Sequence, residues 1–245
     1  MKGTIVILHV AGLDKFIPPF VELIRDEFSK EVHQFWLSGS IETYPVEMSD
    51  NIYLCGDSLR ERVVGYAMLV RQLHASQKIV VHGLFNMKVV VLLALFPWLL
   101  HKCYWVIWGG DLYRYKRQLS GVREKISEKL RRFVIRRIGH LVTYLKGDVD
   151  LARKWYGATG VHHECIMYLS NVVDSRMINV LPKKRKSDLI KILVGNSSDP
   201  ENNHFEILDM LAAYKKNNIE IFVPLSYGDR DHARKVIDRG KELFG

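Results

Sequence analysis

Residues 78–113 read KIVVHGLFNMKVVVLLALFPWLLHKCYWVIWGGDLY, and the way this stretch divides decides the fold. "KIVVHG" (78–83) is a β-branched run closed by glycine, which predicts a strand. The apolar pattern over roughly 86–101 predicts a helix, and "CYWVIWG" (103–109) a second strand. The apolar run at 89–100, between Lys88 and His101, is too short for a bilayer crossing of about twenty residues, so the helix is expected to be buried. Strand, helix, strand is the unit of a parallel α/β sheet.

The same alternation extends in both directions. Upstream lie "TIVILHV" (4–10) as strand, 16–29 as helix, "HQFWLS" and "NIYLC" as strands, and 58–74 as helix. The opening "MKGTIVILHVAGL" imitates a signal peptide. His9 interrupts it, however, and no small-residue cleavage site precedes Asp14 and Lys15, so a first strand is the better reading. Downstream come a helix over 116–138, the strand "HLVTYL" (140–145) and a helix over 147–156. "NVLPKKRKSD" then breaks the pattern. Its four cations resemble a nuclear address but read better as a solvated hinge. Beyond it "LIKILVGN" and "IEIFVPL" predict strands, with helices over 202–216 and 230–243.

The expected organisation is α/β: a Rossmann-like doubly wound lobe over 1–180, a basic linker over 181–188, and the start of a second lobe over 189–245. A free sheet of two strands covers its apolar faces poorly. Either the late strands extend the first sheet, or the natural protein continues past Gly245.

The chain has 245 residues, 48% hydrophobic and 26% charged, the proportions of a folded protein. A formal charge of +9 favours an anionic partner. Three scattered cysteines with no CxxC suggest neither a disulfide framework nor a zinc ribbon. "HHEC" (162–165) makes a poor metal site, because adjacent residues of an extended chain face opposite ways. The segment 116–137 holds nine cations and two anions. Leu119, Val122, Ile126, Leu130, Phe133 and Val134 recur at helical spacing, leaving the cations mostly on the other face. Such a helix suits an anionic lipid surface or a lipid diphosphate, or is simply a sheet-covering helix with a basic solvated face. No nucleic-acid-binding pattern supports the remaining anionic partner.

Ligands of open parallel sheets collect beyond the carboxyl ends of the strands. Here those ends carry His9 and Gly12, then His82 with Asn86 a turn on, then Gly109-Gly110-Asp111. The aspartate is either a group at the rim of a ligand site or the cap of the next turn. His82 is either a proton acceptor or a satisfied strand-end histidine. In the second lobe Gly195-Asn196-Ser197-Ser198-Asp199 separates strand from helix, either as a diphosphate cradle or as an ordinary capped turn with Pro200 behind it.

"LHVAGLD" (8–14), "VHGLFN" (81–86), "WVIWGGDLY" (105–113), "ILVGNSSDPENNH" (192–204) and "VPLSYGD" (223–229) occur in an order that resembles the TDP-Fuc4NAc:lipid II Fuc4NAc transferases, glycosyltransferase family 56. The resemblance spans nearly the whole chain. It implies a two-lobed GT-B fold and transfer of a 4-acetamido-4,6-dideoxyhexose from a TDP-sugar to a polyprenyl-diphosphate-linked oligosaccharide of a bacterial surface glycan. It also implies a peripheral enzyme on the cytoplasmic face of the inner membrane, docked through 116–137, with no cofactor or metal and no nucleic-acid partner. The nucleotide-sugar lobe would then stop after its second strand. Under this resemblance Asp111 is the first choice for the acceptor-side base and His82 the second, with His9, Gly12, Asn86, Trp108, Gly109 and Tyr113 around the acceptor. Gly195, Asn196, Ser197, Asp199, His204 and Tyr227 would hold the donor. The competing reading is a catalytically silent module that binds anionic lipid or sugar phosphate.

Overall fold

The computed structural model describes residues 6–29, 31–116, 121–168, 189–226 and 228–245. The chain divides into two compact units, Met1–Val173 and Asp174–Gly245. The expected linker over 181–188 lies outside the described residues.

Seven parallel strands form the sheet of the first unit: β1 (Ile7–Gly12), β2 (His33–Ser38), β3 (Ile52–Cys55), β4 (Lys78–His82), β5 (Cys103–Val106), β6 (His140–Val142) and β7 (Val161–His163). Their order is β3-β2-β1-β4-β5-β6-β7. The strand order reverses between β1 and β4, where Ala11 lies opposite His82. Connections on either side of such a point leave toward opposite faces and open a crevice at the strand ends. The helices are α1 (Ile17–Glu27), α2 (Leu59–Ala75), α3 (Met87–Leu95), the single turn α4 (Gly109–Leu112), α5 (Val122–Arg137) and α6 (Lys146–Tyr156).

Local chemistry sets these boundaries. Pro18 and Pro19 occupy the first turn of α1, where their missing N–H groups cost no hydrogen bond. Ser58 and Glu61 form a reciprocal capping box at the start of α2. Pro97 cannot continue the α3 ladder, so the helix expected over 86–101 ends at Leu95 and a 3-10 turn follows at Pro97–Lys102. Gly157, at φ +67°, closes α6. At Gly139 a Cβ would fall 2.2 Å from the His101 carbonyl oxygen, so the α5–β6 junction admits only glycine. The core between the sheet and helices α2, α3, α5 and α6 includes Trp36, Leu69, Val90, Trp105 and Ile135, all with no solvent exposure. The Trp36 indole N–H is satisfied by the Gly65 carbonyl at 3.0 Å.

Three expectations need correction. β7 was not anticipated: it is an edge strand of three residues, two of them histidines. The strand expected to run to Gly109 ends at Val106, and the glycines belong to α4 instead. In α5 the apolar stripe is buried only toward its carboxyl end. Val134 is buried and Leu130 and Phe133 pack on the core, whereas Val122 and Ile126 are 74% and 55% exposed, and Glu128 and Arg131 are buried on the inner side. Leu119 lies outside the described residues.

In the second unit β8 (Ile190–Leu193) and β9 (Ile219–Phe222) form a separate parallel sheet rather than extending the first. Helices α7 (His204–Ala212) and α8 (Arg230–Phe244) pack against each other. Ile190, Leu193 and Phe222 of this sheet are exposed.

Candidate active site

The crevice between β1 and β4 is a cleft of about 80 Å³, and its lining includes Gly12, Asp14, Ser38, His82, Phe85 and Asn86. Gly12 leaves open space: a Cβ there would meet nothing within 4 Å. Gly83 turns the chain at φ +81°, where a Cβ would strike the Phe85 ring at 2.5 Å. Asn86 caps α3 by accepting the Lys88 N–H at 3.0 Å and donates to the Tyr66 hydroxyl at 3.1 Å. Asp14 follows β1. Its Oδ1 accepts the Phe16 N–H at 2.8 Å, and burial raises its carboxyl above the usual aspartate range.

Asp111 does not stand at the rim. It is fully buried, and both its oxygens are occupied. Oδ2 accepts the Leu84 N–H at 2.9 Å and the Trp105 indole N–H at 2.7 Å, while Oδ1 accepts the Trp108 N–H at 2.9 Å. Arg131 comes from the inner side of the basic helix and donates to the carbonyls of Leu84 and Asp111. Glu128 lies 3.4 Å from that guanidinium. Burial pushes the Asp111 carboxyl up to about 6, against the lowering by the Leu84 N–H, the Trp105 indole, Arg131 and the Trp108 N–H. The residue therefore clamps the loop after β4 to the loop after β5. It stands behind the cleft wall and is not among the residues that line the cleft.

His82 lines the cleft, but it too is fully engaged. Its Nδ1 lies 2.6 Å from the Tyr168 hydroxyl, and its Nε2 lies 3.0 Å from His9 Nδ1. His9 Nε2 continues to His33 Nδ1 at 2.9 Å. A neutral imidazole offers one donor and one acceptor, so this buried file can be satisfied head to tail with no charge. Burial lowers His82 to about 3. It also lowers His9, helped by the neighbouring His82 and His33, and it lowers His33. His9 thus lies beneath the cleft and not in it. The sequence reading missed Tyr168 and His33, because nothing local links positions 9, 33, 82 and 168.

Trp108, Gly109 and Tyr113 do not line the cleft. The Trp108 ring packs on Phe16 and Tyr168, each at 4.9 Å between centroids. Gly109 opens α4. Tyr113 sits against α6, with its hydroxyl 3.5 Å from Asp148 and its ring edge-on to Trp155.

In the second unit the loops after β8 and β9 meet through a bridge between Ser198 and Gly228. Gly195 is at φ +69°, where a Cβ would lie 2.8 Å from His204 Nε2. Asn202 Nδ2 ties the turn together, donating to the Ser197 carbonyl at 3.0 Å, the Ser197 hydroxyl at 3.1 Å and Asn196 Oδ1 at 3.3 Å. Asp199 caps the short 3-10 turn Pro200–Asn202 and not α7. His204 is buried at the start of α7. Its Nδ1 is 3.1 Å from His232 Nε2, and burial first, then His232, lowers its proton affinity. His232, at the start of α8, was not anticipated. Asn196 stays exposed. Tyr227 lies outside the described residues.

Among the described residues no group of three or more His, Cys, Asp or Glu side chains could hold a metal ion. His162 turns to the Thr143 carbonyl at 3.0 Å and His163 to His140, also at 3.0 Å.

Two α/β units built on parallel strands give this chain a GT-B-like fold. A sucrose-phosphate synthase from Thermosynechococcus elongatus is similar over 98% of this chain and 68% of its own, with a TM-score of 0.59 at 12% identity. An alpha,alpha-trehalose 6-phosphate synthase from Burkholderia multivorans is similar over 98% and 69%, with a TM-score of 0.50 at 10% identity. Residues 20–245 match the family 4-alpha-L-fucosyltransferase glycosyl transferase group 56, and the chain belongs to it. It is a hexosyltransferase.

Proposed function

We propose that this glycosyltransferase moves a 4-acetamido-4,6-dideoxyhexose of the Fuc4NAc type from a TDP-sugar to a polyprenyl-diphosphate-linked glycan of the enterobacterial common antigen or O-antigen type. It does so as a peripheral protein on the cytoplasmic face of the bacterial inner membrane. The turn at Gly195–Ser197, beside the start of α7, receives the donor diphosphate on backbone N–H groups and hydroxyls, with no metal needed to neutralise it. The β1–β4 cleft receives the acceptor sugar.

The observation that carries the lipid-linked part is the outer surface of α3 and α5. A groove of about 750 Å³ runs between them, lined by Met87, Val91, Leu92, Val122 and Ile126, with Lys88 and Arg123 among its charged residues. Exposed apolar side chains interleaved with cations are the chemistry of a surface that meets an anionic lipid interface. Among the described residues no helix is long and apolar enough to cross a membrane.

The test is direct. The full chain is incubated with TDP-, UDP- and GDP-sugars and a polyprenyl-diphosphate-linked disaccharide, and products are read by mass. Transfer from the TDP-sugar with release of TDP is expected. Binding of the lipid without transfer from any nucleotide sugar would support the silent module instead.

A further inference from the structure

We propose that Asp14 is the carboxylate that receives the acceptor hydroxyl in the β1–β4 cleft, an assignment that rests on the transferase reading above. The argument is first one of elimination. The cleft lining contains two ionisable side chains, Asp14 and His82. Both nitrogens of His82 are taken, by Tyr168 and His9. Asp111, the other acidic group near this wall, is buried with both oxygens holding N–H groups. Asp14 alone among these is a carboxylate partly exposed in the cleft: its Oδ1 holds the Phe16 N–H and the Ile17 N–H also bears on the carboxyl, but each carboxylate oxygen can accept more than one hydrogen bond.

The geometry also makes Asp14 a fixed group and not a drifting surface acid. It stands two residues past the end of the interior strand β1, beside the point where the strand order reverses. Its backbone carbonyl accepts the Ile17 N–H at 3.4 Å, and Pro18 and Pro19 stiffen the chain that follows. Burial disfavours its charge, and the adjacent Lys15 opposes this in part. The Tyr168 hydroxyl and His82 are the other titratable groups nearby. Ser38 and Asn86 line the same cleft and offer hydrogen bonds to neighbouring sugar hydroxyls. Phe85, 52% exposed, offers an apolar ring face to a sugar.

In the step itself the acceptor oxygen forms a bond to the anomeric carbon of the donor. The bond from that carbon to the diphosphate oxygen breaks, and its electron pair leaves on the diphosphate. The hydroxyl proton passes to the Asp14 carboxylate and is later released to water. A positioned base of this kind contributes roughly 10²–10⁴-fold.

Asp14→Asn separates this role from the structural one. The amide oxygen still accepts the Phe16 N–H, so the turn survives, but the amide cannot take the proton. Transfer by the full chain from its TDP-sugar should fall by about 100-fold or more in kcat. The unfolding midpoint and TDP binding should be unchanged. The acidic limb of the wild-type kcat profile should vanish in the variant, and Asp14→Glu should restore part of the rate. If Asp14→Asn lowers the midpoint, Asp14→Ser, whose hydroxyl also accepts a turn N–H, must show the same loss. Either variant turning over within threefold of wild type overturns the assignment of Asp14 alone. A wild-type chain that transfers nothing from any nucleotide sugar overturns the transferase reading and this assignment with it.

Discussion

Asp111 and Asp14 carry the same functional group in opposite surroundings. Three N–H groups and a nearby guanidinium converge on the first, while two backbone N–H groups and a cleft meet the second. For Asp111→Asn the consequence is structural. An amide has one acceptor oxygen, so in either orientation its NH₂ faces a buried N–H of Leu84, Trp105 or Trp108. Leaving such donors unsatisfied costs about 1–3 kcal/mol each. Asp111→Asn should therefore lower the urea midpoint of the first unit by an amount equivalent to about 2–4 kcal/mol, and activity should fall with stability. A midpoint equal to wild type would show that the clamp is dispensable. This part of the site was only half legible in the sequence. "WGGD" after a strand marks a turn at a strand's carboxyl end, which is correct. Whether its carboxylate faces in or out depends on donors at positions 84 and 105, and on Arg131 turning inward from a helix rich in cations. No local pattern encodes that convergence. Asp14 was passed over for the converse reason: it read as the charge that ends an apolar run.

At the scale of elements, hydropathy period was a good guide to existence and a poor one to phase. The alternation of β-branched runs with helical spacing located six of the seven strands of the first sheet, because buried parallel strands are continuous apolar runs. β7 escaped because three residues at a sheet edge carry no period. In α5 the period was right and the facing right only for the carboxyl half: Leu130, Phe133 and Val134 meet the core, while Val122 and Ile126 are exposed and the pair Glu128–Arg131 is buried. The exposed half makes a prediction. Replacing Val122 and Ile126 together with serine removes exposed apolar area without touching the core, so stability should change by no more than about 0.5 kcal/mol. Sedimentation with vesicles containing anionic lipid should weaken by about tenfold, at roughly 25 cal/mol per Å² of apolar surface no longer inserted. Changing Arg123, Lys125 and Lys129 to glutamine should instead abolish the salt dependence of binding, because screening acts on those charges. Vesicle binding indifferent to both sets would remove this face from the membrane reading.

At the scale of the whole molecule the two units share one vulnerability, buried neutral histidines. The first holds the file His82–His9–His33, and the second holds His204 at the start of α7. A histidine whose proton affinity is lowered by burial stays neutral in the fold, while the unfolded chain takes up its proton near 6.5. Acid therefore favours the unfolded state. Stability is full above 6.5 and is lost progressively as pH falls toward the folded value of His82, about 3. By pH 5 His82 alone should cost about 2 kcal/mol. Asp111 acts in the opposite sense. Its folded carboxyl, near 6 against 3.8 unfolded, binds a proton more tightly and returns about 1 kcal/mol over the same interval. His9 and His33 add to the loss, so the net change is destabilising. Unfolding midpoints between pH 7.5 and 4.5 should fall steeply below 6.5. His33→Gln, which keeps a hydrogen-bonding side chain at the end of the file but does not titrate, should flatten that slope. If the midpoint of the wild type were level across this range, the three imidazoles could not be held neutral in a file, and the cleft floor they form would need a different arrangement.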